Sequence, residues 1–248
     1  MRQNRTQPRP QHRPQNRSQN RSNEWGRIGE LMKVPWSSCA EAEERSSQID
    51  RQLGFRIDVC EAKVREFLES DERQQQSDLS AQLFQTSYPE LVAIVRLFKG
   101  EKPLRWLDLG AAYGRLGFVL AFLRPKDFFY GFEFVSERVE HGSEVLMSWN
   151  CLHASLEQQD LLEPDFQLPA FDVVFIFDFG ASAQISQILD QLHERSKTKL
   201  VTVIGRGPVT RHLIATQHAW LTQSEELLRS EHWMLYHSSN QSVLPVLS

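Results

Sequence analysis

The stretch Leu104-Arg105-Trp106-Leu107-Asp108-Leu109-Gly110-Ala111-Ala112-Tyr113-Gly114-Arg115-Leu116-Gly117 decides how this chain folds. Residues 105–109 form a short run that is apolar except for Arg105 and Asp108 and is followed at once by glycine, the mark of a buried strand. Gly110 and Gly114 let the backbone turn tightly and come close to a ligand. Residues 116–123 then read as a helix, whose first N–H groups face the end of the strand. In an open α/β sheet that edge is where ligands bind.

Working outward, further strands are expected at 128–132, 151–155, 171–177, 200–204 and 232–237. Helices are expected at 136–149, 185–193 and around 224–229. Strands alternating with helices predict a mostly parallel sheet covered on both faces, with right-handed crossovers. Upstream, Leu91, Val92, Val95, Leu97 and Phe98 describe a helix after Pro89. Ile49, Leu53, Ile57, Cys60, Val64, Phe67 and Leu68 recur at spacings of three and four, one face of a helix or a pair of helices. Ser37 or Ser38 caps its start, with Glu41 at capping-box spacing, and Gly54 is a point of interruption. A polar loop is expected over 73–80.

The 248 residues suffice for one large domain. Three regions are expected: a disordered Arg-rich tail over 1–23, a helical segment over 24–80, and the α/β domain over 81–248. The formal net charge is −4 but is unevenly spread. Six of the 28 Lys and Arg residues fall in 1–23, against none of the 32 Asp and Glu, so the rest of the chain is an acidic body. The tail has no aliphatic or aromatic residue between Arg2 and Asn23, too little apolar surface to offset the entropy of ordering. Its arginines suit either a sequence-blind attraction to nucleic acid or a solubilising extension. No run approaches the length of a membrane helix, and no apolar leader opens the chain. Cys39, Cys60 and Cys151 form no CxxC pair, which argues against a disulfide framework or a structural zinc. No metal and no membrane association are expected, and a reducing cytoplasm is the expected compartment.

The next strand ends Tyr130-Gly131-Phe132-Glu133, which places Glu133 23 residues after Gly110. A carboxylate there is set to accept both hydroxyls of a ribose. Asp160 and Leu161 follow the third strand, where an acid can meet an adenine amino group. Asp178 ends the strongly apolar run 171–177 at the same sheet edge.

This arrangement resembles the class I S-adenosylmethionine-dependent methyltransferases, in which an acid-x-Gly-x-Gly-x-Gly loop follows strand one and an acid ends strand two. Asp108, Gly110, Gly114 and Glu133 match, while Ala112 stands at the family's middle glycine. The resemblance covers about residues 80–240. It implies a Rossmann-like, doubly wound, mostly parallel seven-stranded sheet. It also implies S-adenosyl-L-methionine as cofactor, with Asp108, Gly110, Ala112, Gly114, Glu133, Asp160 and Leu161 around it. The acceptor is expected beside Asp178, which would orient or deprotonate it, with Phe177 and Phe179 as apolar walls.

The layout is also similar to the disruptor-of-telomeric-silencing family of non-SET histone lysine methyltransferases. Gln85-Thr86-Ser87-Tyr88-Pro89-Glu90 takes the place of that family's Tyr-Gly-Glu-Thr stretch, and Tyr130-Gly131-Phe132-Glu133 matches its second motif. Phe177-Asp178-Phe179 stands where that family has Asn-Asn-Phe, without either Asn. The acceptor is thus an open question, with a protein side chain or a nucleic acid favoured, engaged through the Arg-rich tail. Two other functions fit parts of the pattern. Ala112-x-Gly114-x-x-Gly117 is a defective dinucleotide fingerprint, which would suit an NAD(P)-dependent oxidoreductase. A non-catalytic nucleic-acid-binding adapter on the same fold is the other.

Overall fold

Strand β1 (Arg105–Leu109) is the axis of the molecule, because every residue after Arg105 is buried and successive side chains serve opposite cores. In this computed structural model, which describes residues 15–68, 85–223 and 231–238, the sheet has seven strands in the order β3-β2-β1-β4-β5-β7-β6. They are β2 (Phe128–Glu133), β3 (Ala154–Gln158), β4 (Val173–Phe177), β5 (Thr202–Arg206), β6 (Leu221–Gln223) and β7 (Trp233–Ser238). The first five are parallel, with Asp108 opposite Gly131 on one side and Phe175 on the other. Strand β7 runs antiparallel to both β5 and β6. The expected doubly wound, mostly parallel architecture is the one observed.

One face of the sheet carries Trp106, Phe129, Val173, Phe175 and Ile204. The other carries Leu107, Leu109, Val174, Ile176 and Val203. Helices α7 (Ser182–Ser196) and α8 (Pro208–Gln217) cover the second face through Ile185, Leu189, Leu192 and Leu213. The first face is covered by α5 (Arg115–Leu123) and α6 (Ser136–Ser148), with α4 (Tyr88–Val95) beside α5. The N-terminal helices α1 (Gln15–Lys33), α2 (Cys39–Leu53) and α3 (Ile57–Leu68) insert Ile28, Met32, Ile49, Leu53, Cys60 and Val64 into that same core.

The caps expected for α2 are present: Ser38 Oγ accepts from the Glu41 amide, and Gly54 ends the helix at φ 98°. The tail expectation changes. Residues 1–14 lie outside the described residues, but 15–23 are the first turns of α1. The aromatic anchor is Trp25, against Phe118, Phe122 and Trp149. Arg21 follows it onto α6, stacking 5.8 Å over Trp149 and donating to the Ser148 carbonyl. A polar stretch is thus carried into a helix by the apolar half that follows it. Strand β3 lies three residues later than expected, and α8 and β6 were not anticipated. The expected loop over 73–80 and the expected helix around 224–229 fall outside the described residues. Among the described residues, no helix is long and apolar enough to cross a membrane.

Candidate functional site

The turn after β1 alternates left-handed conformations: φ is 80° at Gly110, 47° at Ala112 and 78° at Gly114. The Gly110 and Ala111 amides both donate to the Phe132 carbonyl at 2.9 Å, so the turn is pinned to the end of β2. Gly110 is also needed for space, because a Cβ there would lie 2.5 Å from the Cβ of Phe179. Ala112 stands where the resemblance places a glycine. The structure shows that the constraint is conformational, since alanine here occupies a left-handed backbone at a cost of about 1 kcal/mol.

Glu133 secures this turn from the side. Its Oε2 accepts from the Ala112 amide at 2.9 Å, and its Oε1 accepts from the Val135 amide at 3.0 Å. Arg138 Nη1 lies 3.6 Å from Oε1. Arg138 also pairs twice with Glu61 of α3, at 2.9 and 3.0 Å, and Tyr113 donates to the same Glu61 at 2.7 Å. Burial works against the Arg138 charge, but Glu61 and Glu133 outweigh it and hold the guanidinium firmly protonated.

Asp108 is different. It is 6% exposed, and no hydrogen bond to its carboxylate is found among the described residues. Desolvation, followed by the neighbouring Glu133 charge, pushes its pKa up to about 8. It lies in a small cleft that opens to solvent. The floor is Asp108, Gly110, Ala111 and Ala112, and Phe175 and Phe177 of β4 form one wall. Gln85, Thr86 and Leu91 close it from α4 and the segment ahead of it, and Arg115 and Leu116 close it from α5. This is the gap between the ends of β1 and β4, where the strand order reverses, the usual ligand position in such a sheet.

Arg115, the first residue of α5, is 5% exposed and belongs to the framework of the cleft. It pairs with Asp50 of α2 and donates to the Thr86 carbonyl at 3.2 Å. Tyr88 donates to the same Asp50 at 2.9 Å, and its amide donates to Ser46 Oγ at 3.1 Å. The buried Asp50–Arg115 pair thereby fixes Gln85 and Thr86 over the turn. Sequence spacing gave no sign of it, since the partners are 65 residues apart.

Other expected site residues are placed elsewhere. Asp160 accepts from the Leu162 amide at 2.9 Å and closes its own turn. Leu161 is 7% exposed and packs in the core with Phe132 and Phe171. Neither lines the cleft, although the Gln159 amide donates to the Glu133 carbonyl and holds their loop beside β2. Asp178 does reach the sheet edge, but its carboxylate is occupied. Oδ2 accepts from the Val209 amide at 3.1 Å, and Oδ1 from the Thr210 amide at 2.8 Å and the Thr210 hydroxyl at 2.7 Å. It caps α8, satisfying donors that a helix start leaves open. Phe177 lines the cleft as expected, and Phe179 lies over Gly110.

Fold and site together define a doubly wound α/β protein with a binding cleft at its switch point. No family model matches the chain, and no curated protein matches it. Among solved structures it is similar to a precorrin-6y C5,15-methyltransferase from Geobacter metallireducens, 15% identical with a TM-score of 0.48, covering 64% of this chain and 91% of that one. A SAM-dependent methyltransferase from Aquifex aeolicus is 14% identical with a TM-score of 0.45, covering 72% and 97%. M. capricolum TrmK in complex with S-adenosyl-homocysteine is 16% identical with a TM-score of 0.42, covering 60% and 67%. Identities this low assign no role to any residue here.

Proposed function

We propose that the chain is an S-adenosylmethionine-dependent methyltransferase. The observation that supports it best is Asp108: a buried carboxylate with no hydrogen bond to it among the described residues, beside a left-handed turn at the switch point of the sheet. Such a group costs stability unless a ligand brings a donor to it. The donor molecule fits these residues. Its amino group suits Asp108, and its ribose hydroxyls suit Glu133, whose oxygens each keep a lone pair beyond the bonds already made. When bound, it supplies a methyl group already activated on a sulfonium, so transfer needs alignment more than acid–base work. The chain would supply that alignment: Asp108 and Glu133 hold the two polar ends, and Phe175 and Phe177 keep water from the space between. Asp178 has a supporting part in this reading, because its carboxylate is committed to α8.

Calorimetric titration with S-adenosylhomocysteine and with NAD tests the proposal. Binding of the first and not the second is expected. Binding of NAD alone would replace it with the oxidoreductase reading.

A further inference from the structure

Strands β1 and β2 begin at the sheet edge opposite the cleft, and their first residues, Arg105 and Phe128, are ladder partners. By strand alternation Phe128 faces the same side as Tyr130 and Phe132. Those two rings pack with the core under α7, but Phe128 lies outside it and is 37% exposed. The exposed His153, just ahead of β3, meets Phe128 edge-on at 4.8 Å and 88°. Two flat rings thus stand side by side at the water's edge.

Cations adjoin them. Arg105 pairs with Asp172 through two contacts of 3.0 Å. Arg195, in the last turn of α7, stacks 4.2 Å over the Phe171 ring and donates to the Pro169 carbonyl at 3.0 Å and to that of Phe171. Burial, and then the like charge of Arg105, lower its pKa, which marks two guanidiniums close together. Residues 99–105, 124–127, 169–172 and 194–201 hold eight Lys or Arg against four Asp or Glu, in a chain of net charge −4. Three of those acids, Asp127, Asp172 and Glu194, are spent on Arg124, Arg105 and Lys197. Lys99, Lys102, Lys126, Lys199 and Arg195 are left against Glu101, with no ion pair of theirs among the described residues. These segments lead into β1, β2, β4 and β5, which stand in the order β2-β1-β4-β5. The sheet therefore sets them in a row roughly 14 Å long, at about 4.8 Å per strand.

We propose that this edge of the sheet binds single-stranded nucleic acid, with a base stacked on Phe128 and His153 and the phosphates along the cationic row. The proposal does not rest on the methyltransferase reading, because the cleft lies at the other edge. A row of cations alone would suit any polyanion. Exposed rings beside it favour a ligand that carries flat bases as well as charge. A duplex keeps its base faces stacked inside, so the strand must be single.

The full chain is titrated into fluorescein-labelled oligothymidylate, oligouridylate, a DNA duplex of the same length and polyglutamate, with binding read by anisotropy. Single strands should bind at least about fivefold more tightly than the duplex or polyglutamate, and the tighter of the two separates DNA from RNA. Phe128→Ala should weaken single-strand binding by about fivefold or more, the loss of one stacked base, and leave its salt dependence unchanged. Phe128→Trp should restore it. Lys102→Gln, Lys126→Gln and Lys199→Gln combined should flatten the slope of log affinity against log salt by about 2, at roughly 0.7 per phosphate contact. All four positions are exposed, so these variants should fold. The N-terminal arginines are present in every protein compared, so their attraction cancels. S-adenosylhomocysteine affinity should be unchanged throughout, because none of these residues lines the cleft. Its failure to bind the wild type would remove the methyltransferase reading and leave this one standing. No single-strand binding by the wild type, or wild-type affinity in Phe128→Ala, overturns the proposal, as does an unchanged salt slope in the triple variant. Equal binding of the duplex or of polyglutamate also overturns it, the latter in favour of an acidic protein partner.

Discussion

Two acids end neighbouring strands on one edge of the sheet, Asp108 on β1 and Asp178 just after β4, and their surroundings are opposite. Asp178 is partly exposed and accepts three hydrogen bonds from Val209 and Thr210. Asp108 is buried and accepts none found among the described residues, with its pKa pushed up to about 8. Position on a strand end therefore does not mark a functional acid. What separates the two is whether the fold has already used the lone pairs.

The largest effect that would sharpen this contrast is on stability. Asp178→Ala leaves the first donors of α8 open and should cost about 2–4 kcal/mol, read as a fall in Tm. Donor affinity should change little in protein that remains folded. If Asp178→Ala melted like the wild type, the capping role would be wrong and the acid would again be a candidate for the acceptor site.

The next effect is on binding. Above pH 8, where Asp108 is ionised, Asp108→Asn should weaken S-adenosylhomocysteine by roughly 10–150-fold, the loss of a charge-assisted hydrogen bond worth about 1.5–3 kcal/mol, and by less at lower pH. Unchanged affinity by calorimetry would break the comparison from the other side.

Asp108 should also show itself in the pH dependence of stability. The Asp108 pKa is raised in the folded chain from 3.8 to about 8, so between those values the folded state holds a proton that the unfolded state has released. Stability from this group therefore falls as pH rises through that window and levels off above it. Asp108→Asn should remove that slope and melt higher than the wild type, by more at pH 8 than at pH 5. A stability gain together with a binding loss is what a site acid gives, and Asp178→Ala should show the reverse. Parallel pH profiles for wild type and Asp108→Asn would count against the burial argument.

Much of this was legible from the chain alone, for a physical reason. Central parallel strands are apolar throughout, so β1, β2, β4 and β5 were found within a residue or two. Strand β3 pairs only with β2 and buries little beyond Leu156, so its signal was weak and its position slipped. Helix α8 opens with Pro208 after Gly207, a helix-start signal present in the sequence, but its apolar residues are too few to mark it by periodicity. Asp108 and Glu133 come together at one turn, as their spacing around Gly110 predicts, because local turn chemistry fixes that spacing. The pairs Asp50–Arg115, Glu61–Arg138 and Glu90–Arg206 could not be read from the chain, because they join residues 65, 77 and 116 positions apart. The hydrogen bonds that occupy Asp178 were illegible for the same reason: its partners lie on a helix more than thirty residues later.

The smallest expected effect concerns the turn that separates the two acids' environments. Ala112 at φ 47° pays about 1 kcal/mol for a left-handed backbone, which glycine would avoid. Glycine would also give the unfolded chain more freedom, a loss of about 0.4–1 kcal/mol to the folded state. These terms nearly cancel, so Ala112→Gly should move stability by less than about 1 kcal/mol, with the Ala112 amide still held by Glu133. Ala112→Val separates strain from space. A β-branched residue is a genuine outlier at positive φ, and strain of this kind costs about 1–3 kcal/mol. It should also weaken S-adenosylhomocysteine, because the turn that forms the cleft floor would relax. If valine were tolerated as well as glycine in both Tm and affinity, the left-handed turn would not be what shapes the floor beneath Asp108.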